Sequence, residues 1–259
     1  MIYDFFVNTT PSRLKESKCL RAAVHSLLHQ TITPRKVYVC IPHYYKRLNK
    51  EVANEDIPKW LYNDSPKVEV IRGYDYGPAT RYVYASTVSD AKGDSSNICS
   101  ADDDVIYHYN AFENLSNFKK AENLDAASCW SYIWWNSKDD AEDIDYNLRY
   151  LQGVDMVLTN SSNLRGFRDF LSDCFEGFPD CVLNDDLTVS YWLQYNNKKI
   201  GSLNVGNSEP VYSIQPTASD DSRITDQLGK GERFHKTFEI ISHLKKNYPI
   251  KKLNNSVSS

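Results

Sequence analysis

Three consecutive carboxylates interrupt an apolar stretch near the middle of the chain. Residues 97–101 form a short, largely apolar run, Asp102, Asp103 and Asp104 follow it, and the apolar pattern resumes at Val105. Adjacent Asp residues repel one another and are poor strand formers, so local propensity does not explain their position. Mg²⁺ and Mn²⁺ prefer oxygen ligands, which they often share with a substrate phosphate. The spacing of Asp102 and Asp104 therefore suggests a metal site, and the alternative is an acidic turn that faces water.

A second acidic pair opens a segment with the pattern of a buried helix. Asp185 and Asp186 follow Asn184, and apolar residues at 187, 189 and 191–193 come next. Carboxylates at a helix N-terminus are favourable in themselves, by about 0.3–1 kcal/mol each, so simple capping is one explanation of the pair. The other is a chemical role for one of the two carboxylates.

The elements that must position these acids alternate as in an α/β protein. Residues 2–8, 37–42 and 67–71 read as buried strands, and a helix with apolar positions from Leu20 to Leu28 lies between the first two. This order predicts a Rossmann-like, mostly parallel central sheet flanked by helices, in a single domain. In such sheets ligands bind beyond the carboxyl ends of the strands, which is where the three Asp residues would lie. His25 and His29 are spaced as a helical metal pair could be, but a half-exposed helix face explains them better.

The segment before the next helix has the features of an anion-binding turn. Gly77 permits an unusual backbone conformation, and Pro78 suits the first turn of a helix. Helix N-termini attract anions, and Arg81 lies one turn further on. A plain loop-to-helix junction is the alternative.

Composition narrows the classes of function and location. The chain has 259 residues, of which 41% are hydrophobic and 25% charged, and its formal net charge is −4. The absence of a basic surplus argues against nucleic acid as a partner. The six Cys residues have no close metal-ligand spacing and read as reduced thiols. No export signal or apolar span long enough to cross a bilayer is evident, so we expect a cytoplasmic protein without a transmembrane segment.

Four motifs together resemble the nucleotide-binding half of a GT-A glycosyltransferase. They are Thr-Thr-Pro-x-Arg at residues 9–13, Ser-Leu-Leu-x-Gln-Thr at 26–31, Tyr-Gly-Pro-Ala-Thr at 76–80 and Asp-Asp-Asp-Val-Ile-Tyr at 102–107. The resemblance covers about residues 2–205 and is greatest to family-2-like enzymes of bacteria and large DNA viruses. It implies a GT-A fold and transfer of a sugar from a nucleoside-diphosphate sugar to the hydroxyl of a glycan or another acceptor.

The resemblance also implies roles for individual residues. Asp102 and Asp104 would hold Mn²⁺ or Mg²⁺ against the donor diphosphate, although Asp103 could take one of these places, and His235 would complete the metal shell. The acidic pair would include the general base, with Asp186 the first choice and Asp185 the second, which favours inversion of the anomeric centre. The residues expected to contact the nucleotide sugar are Thr9, Thr10, Arg13, Asp75, Gly77, Pro78, Arg81, Asp102 and Asp103.

The later part of the chain yields further expectations. Residues 126–135 read as one strand, on which Trp130 and Trp134 could stack on an acceptor sugar, although core packing is the commoner role of such rings. Residues 151–158 read as another strand, and 109–120, 162–174 and 234–244 as helices. Residues 219–236 have the composition of a mobile loop, with Gly229 and Gly231 as possible hinges. Arg233, His235 and Lys236 would meet a diphosphate or, alternatively, form the solvated first turn of the last helix.

The predicted organisation is one GT-A domain with a C-terminal extension. The domain spans residues 1–205, with a nucleotide-binding half at about 1–107 and an acceptor half at about 108–205. A loop and helix at 206–250 would pack on it, and residues 251–259 would form a disordered tail.

Two other functions remain compatible with these motifs. A nucleotidyltransferase acting on sugar phosphates also combines a Rossmann-like sheet with metal-binding carboxylates, but usually has a Gly-rich basic loop after the first strand, and residues 8–13 contain no Gly. A non-catalytic carbohydrate- or metal-binding module would explain aromatic and acidic residues without requiring a second acidic pair about 80 residues after the first.

Overall fold

Strand β1, Tyr3–Asn8, lies inside a seven-stranded sheet that organises the molecule. The computed structural model describes residues 2–16, 18–93, 95–129, 131–133, 149–151, 156–203, 211–213 and 230–250. The other strands of this sheet are β2 (Lys36–Pro42), β5 (Val68–Gly73), β6 (Asn97–Ala101), β8 (Ala126–Ser128), β11 (Val157–Asn160) and β12 (Ile200–Ser202).

The central sheet is mostly parallel, as the sequence predicts. Its order is β12-β8-β11-β6-β1-β2-β5, and β11 pairs antiparallel with both of its neighbours while the other four pairings are parallel. Three two-stranded pairs accompany it: β3 (Tyr44–Tyr45) with β4 (Lys50–Glu51), β7 (Val105–Tyr107) with β13 (Val211–Ser213), and β9 (Ser131–Ile133) with β10 (Arg149–Leu151).

Helices cover both faces of the sheet. They are α1 (Pro11–Glu16), α2 (Lys18–Leu28), α3 (Trp60–Asn63), α4 (Thr80–Lys92), α5 (Ala111–Ala121), α6 (Phe167–Gly177), α7 (Asp185–Tyr195) and α8 (Lys230–Asn247). Alternate residues of β1 therefore enter different cores, because successive side chains of a strand point to opposite faces. Phe5 packs with α2 and α5, whereas Phe6 packs with residues of α4, α6, α7 and α8. A single α/β domain with a flanked sheet is thus confirmed.

Two predicted strands are each divided between different sheets. The stretch predicted as one strand at 126–135 contains β8 in the central sheet and β9 in a separate pair. The stretch at 151–158 contains the end of β10 and the start of β11, with Met156 at a positive φ of 73° just before β11. Apolar periodicity is the same on both sides of such a crossing, so the pattern alone could not reveal it.

The predicted helix at 162–174 begins later than expected. A 3₁₀ turn occupies Ser161–Leu164, and α6 starts at Phe167 after Gly166, which has a φ of 85°. A left-handed residue ends one helical segment before the next begins, and glycine adopts this conformation without steric cost.

The last helix is longer than predicted, and this corrects the expected extent of the polar loop. Helix α8 starts at Lys230, so Gly231 and residues 233–236 belong to a helix rather than to a hinged loop. The structure agrees with the alternative prediction, in which residues 233–236 belong to the beginning of the last helix. Gly229 and the rest of 219–229, as well as the tail at 251–259, lie outside the described residues. Among the helices of the described segments, none has the length and apolar character needed to cross a membrane.

Candidate active site

Parallel pairing of β1 and β6 brings two of the predicted motifs together. Val7 is paired with Ala101, so both strands end at the same edge of the sheet. The segment that starts at Asn8 and the turn formed by Asp102, Asp103 and Asp104 are therefore neighbours. We call residues 102–104 the Asp turn. The Tyr107 hydroxyl accepts a hydrogen bond of 2.8 Å from the backbone N–H of Asp102, which holds the start of this turn.

The middle carboxylate of the Asp turn points into the protein. Asp103 is 3% exposed and forms an ion pair with Arg13 of α1. Burial raises the pKa of the Asp103 carboxyl above its ordinary value, while Arg13 and the Thr9 hydroxyl act in the opposite direction. Asp103 therefore joins the turn to the segment after β1, and its side chain is buried against Arg13.

The outer two carboxylates of the Asp turn are more accessible. The side chains of Asp102 and Asp104 are 24% and 18% exposed. Asp104 Oδ2 lies 3.0 Å from Nη2 of Arg13, and Asp102 contacts Arg81 through Oδ1. Two carboxylates at the edge of the sheet are the hard oxygen donors that Mg²⁺ or Mn²⁺ requires. Within the described ranges no three His, Cys, Asp or Glu side chains converge on one point, so a cation here would need oxygen ligands from substrate or water.

Arg81 lies between the Asp turn and the second acidic pair. Arg81 is 4% exposed. Its Nη1 contacts Asp102 and donates a hydrogen bond of 3.2 Å to the Ala101 carbonyl. Its Nη2 lies 2.8 Å from Asp185 Oδ2 and 3.6 Å from Asp186 Oδ1. Burial tends to lower the pKa of Arg81, but Asp185 and Asp102 outweigh it and hold that pKa well above its ordinary value. The sequence suggested that Arg81 would face a phosphate, whereas its contacts here are carboxylates.

The acidic pair lies at the start of α7 and close to the Asp turn. Asp185 and Asp186 are each 8% exposed, and Asn184 caps the helix by accepting a hydrogen bond of 3.1 Å from the Leu187 N–H. Capping is thus performed by the Asn184 side chain, and the two carboxylates next to it are directed toward Arg81. Residues about 80 positions apart in sequence therefore form one cluster.

The Tyr-Gly-Pro-Ala-Thr segment closes around this cluster. The Asn8 side chain donates to the carbonyls of Gly77 (3.3 Å) and Pro78 (2.5 Å). Both carboxylate oxygens of Asp75 accept backbone N–H groups, from Gly77 and from Lys46, each at 2.8 Å. Asp75, Gly77 and Pro78 thus shape the loop, and α4 begins after them, at Thr80.

Gly77 is required where this loop approaches the turn before α7. Its φ is 61°, and a Cβ atom at this position would lie 2.5 Å from Cγ2 of Val182. Val182 belongs to the 3₁₀ turn Pro179–Leu183 that leads into the acidic pair. A side chain at residue 77 would therefore disturb both the loop and the approach to α7.

We expect Gly77→Ala to lower the free energy of unfolding by about 1–3 kcal/mol, because an L-residue is strained at positive φ and Val182 must move. Gly93→Ala is the matched control: Gly93 has a φ of 62°, but nothing lies within 4 Å of the added Cβ. Urea denaturation of both variants separates the cost of a positive φ, which both share, from the cost of the contact with Val182, which only Gly77→Ala has. Equal losses in the two variants would contradict a specific role for the Gly77–Val182 contact.

The structure locates the remaining predicted residues as follows. Thr9 is buried, and its carbonyl accepts a hydrogen bond of 3.0 Å from Tyr45; the Thr10 hydroxyl lies 3.2 Å from that of Ser12. His235 is in α8, but its side chain, like Trp130 and Trp134, is outside the described residues. Their proposed roles stay predictions. His25 on α2 and His29 just after it are both exposed, as a half-exposed helix face predicts; His25 lies 3.4 Å from Asp64, and the His29 ring hydrogen-bonds to the His25 carbonyl.

Sequence reasoning did not assign roles to Asn8, Tyr107 and Asn184, which hold the site together. For Asn184 a signal was present, because Asn directly before two acids at a helix start is a strong N-cap pattern. Asn8 and Tyr107 gave no such signal, since their partners are distant or depend on how a turn folds.

Solved structures with the same architecture have little sequence in common with this chain. The S. aureus TarS 1–349 crystal structure in complex with UDP-GlcNAc is 12% identical, with a TM-score of 0.56, over 97% of this chain and 68% of TarS. The TarS structure with UDP is 13% identical, with a TM-score of 0.51, over 97% and 67%. Francisella tularensis 2-C-methyl-D-erythritol 4-phosphate cytidylyltransferase (IspD) is 12% identical, with a TM-score of 0.51, over 88% of this chain and 99% of IspD.

Neither a protein-family model nor a curated protein sequence matches the chain. At such identities the likeness to solved structures concerns the fold alone. The chain has a GT-A-like fold, as the sequence motifs predict.

Proposed function

We propose that this protein is a glycosyltransferase that moves a sugar from a nucleoside-diphosphate sugar to an acceptor hydroxyl. The observation that carries the proposal is the cluster formed around Arg81, in which Asp102, a partly exposed carboxylate of the Asp turn, lies next to the separate acidic pair of Asp185 and Asp186. Glycosyl transfer needs both, because charge develops on the leaving diphosphate and the acceptor must lose a proton. The likeness to TarS, which was crystallised with UDP-GlcNAc, supports a nucleotide sugar as donor.

Each group has a defined part in this proposal. Asp102 and Asp104 would hold Mn²⁺ or Mg²⁺, which, when bound, supplies Lewis-acid stabilisation of the departing diphosphate. Asp186 would take the proton of the acceptor hydroxyl as it attacks the anomeric carbon. Asp185, whose Oδ2 is 2.8 Å from Arg81, is engaged in an ion pair and is the second choice as base. One metal site and one separate base are what a single displacement with inversion requires.

The second candidate function is nucleotidyl transfer, which the likeness to IspD favours. The two reactions differ in what they release. We expect incubation with Mn²⁺ and a panel of nucleotide sugars to give slow release of a nucleoside diphosphate by hydrolysis. Formation of pyrophosphate from a nucleoside triphosphate and a sugar phosphate would instead identify a nucleotidyltransferase. Inertness in both assays, with retained sugar or metal binding, would indicate a binding module.

Metal dependence is tested through Asp104. We expect Asp104→Ala to weaken Mn²⁺-dependent binding of a nucleoside diphosphate by more than about 100-fold. Loss of a residue that only hydrogen-bonds to a metal ligand already costs about 10- to 100-fold, and loss of the ligand itself should cost more. The fold should persist because the side chain is partly exposed and Arg13 keeps Asp103 as a partner. Calorimetry with and without chelator measures the effect, and Asp169→Ala, at a side chain that is 75% exposed, is the control. Unchanged affinity in Asp104→Ala would remove the Asp turn from the metal site.

A further inference from the structure

The side chain of Asn184 is held from three directions. Its Oδ1 accepts hydrogen bonds from the Tyr150 hydroxyl (3.1 Å) and from the Leu187 N–H (3.1 Å), and its Nδ2 donates to the Thr237 hydroxyl (3.4 Å). Asn184, Tyr150 and Thr237 are each less than 9% exposed. A buried amide with all these partners has one favoured orientation, because turning it would leave polar atoms unpaired away from water.

Thr237 belongs to α8, which packs against the same end of the protein. Lys236, one residue earlier, forms an ion pair of 2.5 Å with Asp180 in the 3₁₀ turn before α7. Ile240, Ile241 and Leu244 of α8 are buried in one hydrophobic cluster with residues of α7. The Tyr191 hydroxyl of α7 also donates to the Tyr248 carbonyl at 2.8 Å, just beyond α8. These contacts join the C-terminal helix to the element that carries the acidic pair.

The hydroxyl of Thr237 contacts α7 at its N-cap, which is the position next to the acidic pair. Asn184 is the N-cap, and its orientation decides whether the Leu187 N–H is satisfied and how the first turn of α7 begins. Asp185 and Asp186 are the first two residues of that turn, so a change in the cap moves both carboxylates relative to Arg81 and the Asp turn.

We propose that α8 is a positioning element of the active site, and that Thr237 sets the orientation of the acidic pair through Asn184. The expected effect on turnover rests on the proposed function, whereas the orientation of Asn184 by Thr237 does not depend on it. Thr237 is a positioning residue, because it acts on the acidic pair through its contact with Asn184. Loss of its hydroxyl leaves Nδ2 of Asn184 without this acceptor and removes one of the three hydrogen bonds that hold the amide.

The test compares Thr237→Val, which removes the hydroxyl and nearly keeps the shape, with Thr237→Ser, which keeps the hydroxyl. Glu239→Gln is the control on the same helix, at a side chain that is 55% exposed. We expect Thr237→Val to lower kcat by about 10- to 100-fold, because small displacements of catalytic groups cost this much. Affinity for Mn²⁺ and nucleoside diphosphate should stay unchanged, and Thr237→Ser should recover most of the turnover.

Hydrogen–deuterium exchange followed by mass spectrometry supplies a readout that does not depend on activity. We expect the peptide that contains residues 184–190 to exchange about 10-fold faster in Thr237→Val than in the unaltered protein, because the cap of α7 is weakened. Thr237→Ser and Glu239→Gln should match the unaltered protein. A merely structural contribution would instead speed exchange throughout α8 and would not be rescued by Ser.

The outcomes separate failure of this inference from failure of the proposed function. If the unaltered protein neither hydrolyses nucleotide sugars nor binds a nucleoside diphosphate, the proposed function fails, and the exchange experiment alone decides whether Thr237 orients α7. If the unaltered protein is active, turnover of Thr237→Val equal to it, or an equal loss in Thr237→Ser, overturns the positioning role. Unchanged exchange of residues 184–190 in Thr237→Val overturns it in either case.

Discussion

Asp186→Asn should lower turnover by about 10²–10⁴-fold while leaving donor binding intact. The substitution keeps the size of the side chain and removes its basicity, and a general base contributes about this much to a reaction. Asp186 is nearly buried at the start of α7, at the edge of the Arg81 cluster, with its Oδ1 3.6 Å from Nη2 of Arg81. Steady-state kinetics with a nucleotide sugar measures the loss in kcat, and calorimetry with Mn²⁺ and nucleoside diphosphate checks that the donor side is unaffected.

Asp185→Asn is the matched control for this prediction. The two residues are adjacent, equally buried and both in contact with Arg81, but Asp185 is the one held at 2.8 Å. We expect Asp185→Asn to reduce stability more than Asp186→Asn, because it removes the closer ion pair, and to reduce kcat less. If Asp185→Asn alone produces the large kinetic loss, Asp185 is the base. If neither does, the pair serves only the structure of the helix start.

Arg81→Met should lower the free energy of unfolding by about 3–5 kcal/mol, the cost of leaving buried charges without their partner. The guanidinium is 4% exposed and is the common partner of Asp102, Asp185 and Asp186. Its removal brings carboxylates into one site without the cation between them, and like charges in a poorly solvated site repel strongly. Urea denaturation measures the effect, provided that the transition stays two-state.

Two further variants show whether the loss comes from charge or from packing. Arg81→Lys keeps the charge but not the planar fork that reaches two carboxylates at once, so we expect an intermediate loss. Combining Arg81→Met with Asp185→Asn should cost less than the sum of the single changes, because the second removes a carboxylate that the first left unpaired. Additive losses would mean that Arg81 stabilises the protein by packing rather than through these ion pairs.

The Arg81 cluster also relates the two halves of the proposed mechanism. Asp102 on one side and the acidic pair on the other contact different nitrogens of the same guanidinium. A cation bound at Asp102 would therefore compete with Arg81 for the same carboxylate. A weaker contact between Arg81 and Asp102 would in turn alter the contact between Arg81 and the acidic pair. Asp104→Ala should affect donor binding, whereas Asp186→Asn should affect turnover. This difference tests whether the metal side and the base side of the cluster act separately.

The fold was predictable because its signals are local. Buried parallel strands are near-continuous apolar runs, and residues 2–8, 37–42 and 67–71 have this character. The predicted strands at 126–135 and 151–158 were wrong in extent because each covers a place where the chain passes from one sheet to another. Hydrogen-bond partners of a strand are distant in sequence, so its apolar pattern does not record which sheet it joins.

The sequence also predicted the kind of chemistry, since residue types and their order belong to the chain itself. Three carboxylates after a buried strand favoured a cation site, and the resemblance to GT-A enzymes implied a base in the acidic pair at a helix start; both roles stay predictions. The tertiary structure decided how these groups are paired. It directed Asp103 inward to Arg13, left Asp102 and Asp104 more exposed, and placed Arg81 against carboxylates rather than toward solvent. These outcomes depend on contacts between residues 21 to 104 positions apart, and only the folded sheet brings such partners within the few ångströms over which ion pairs and hydrogen bonds act.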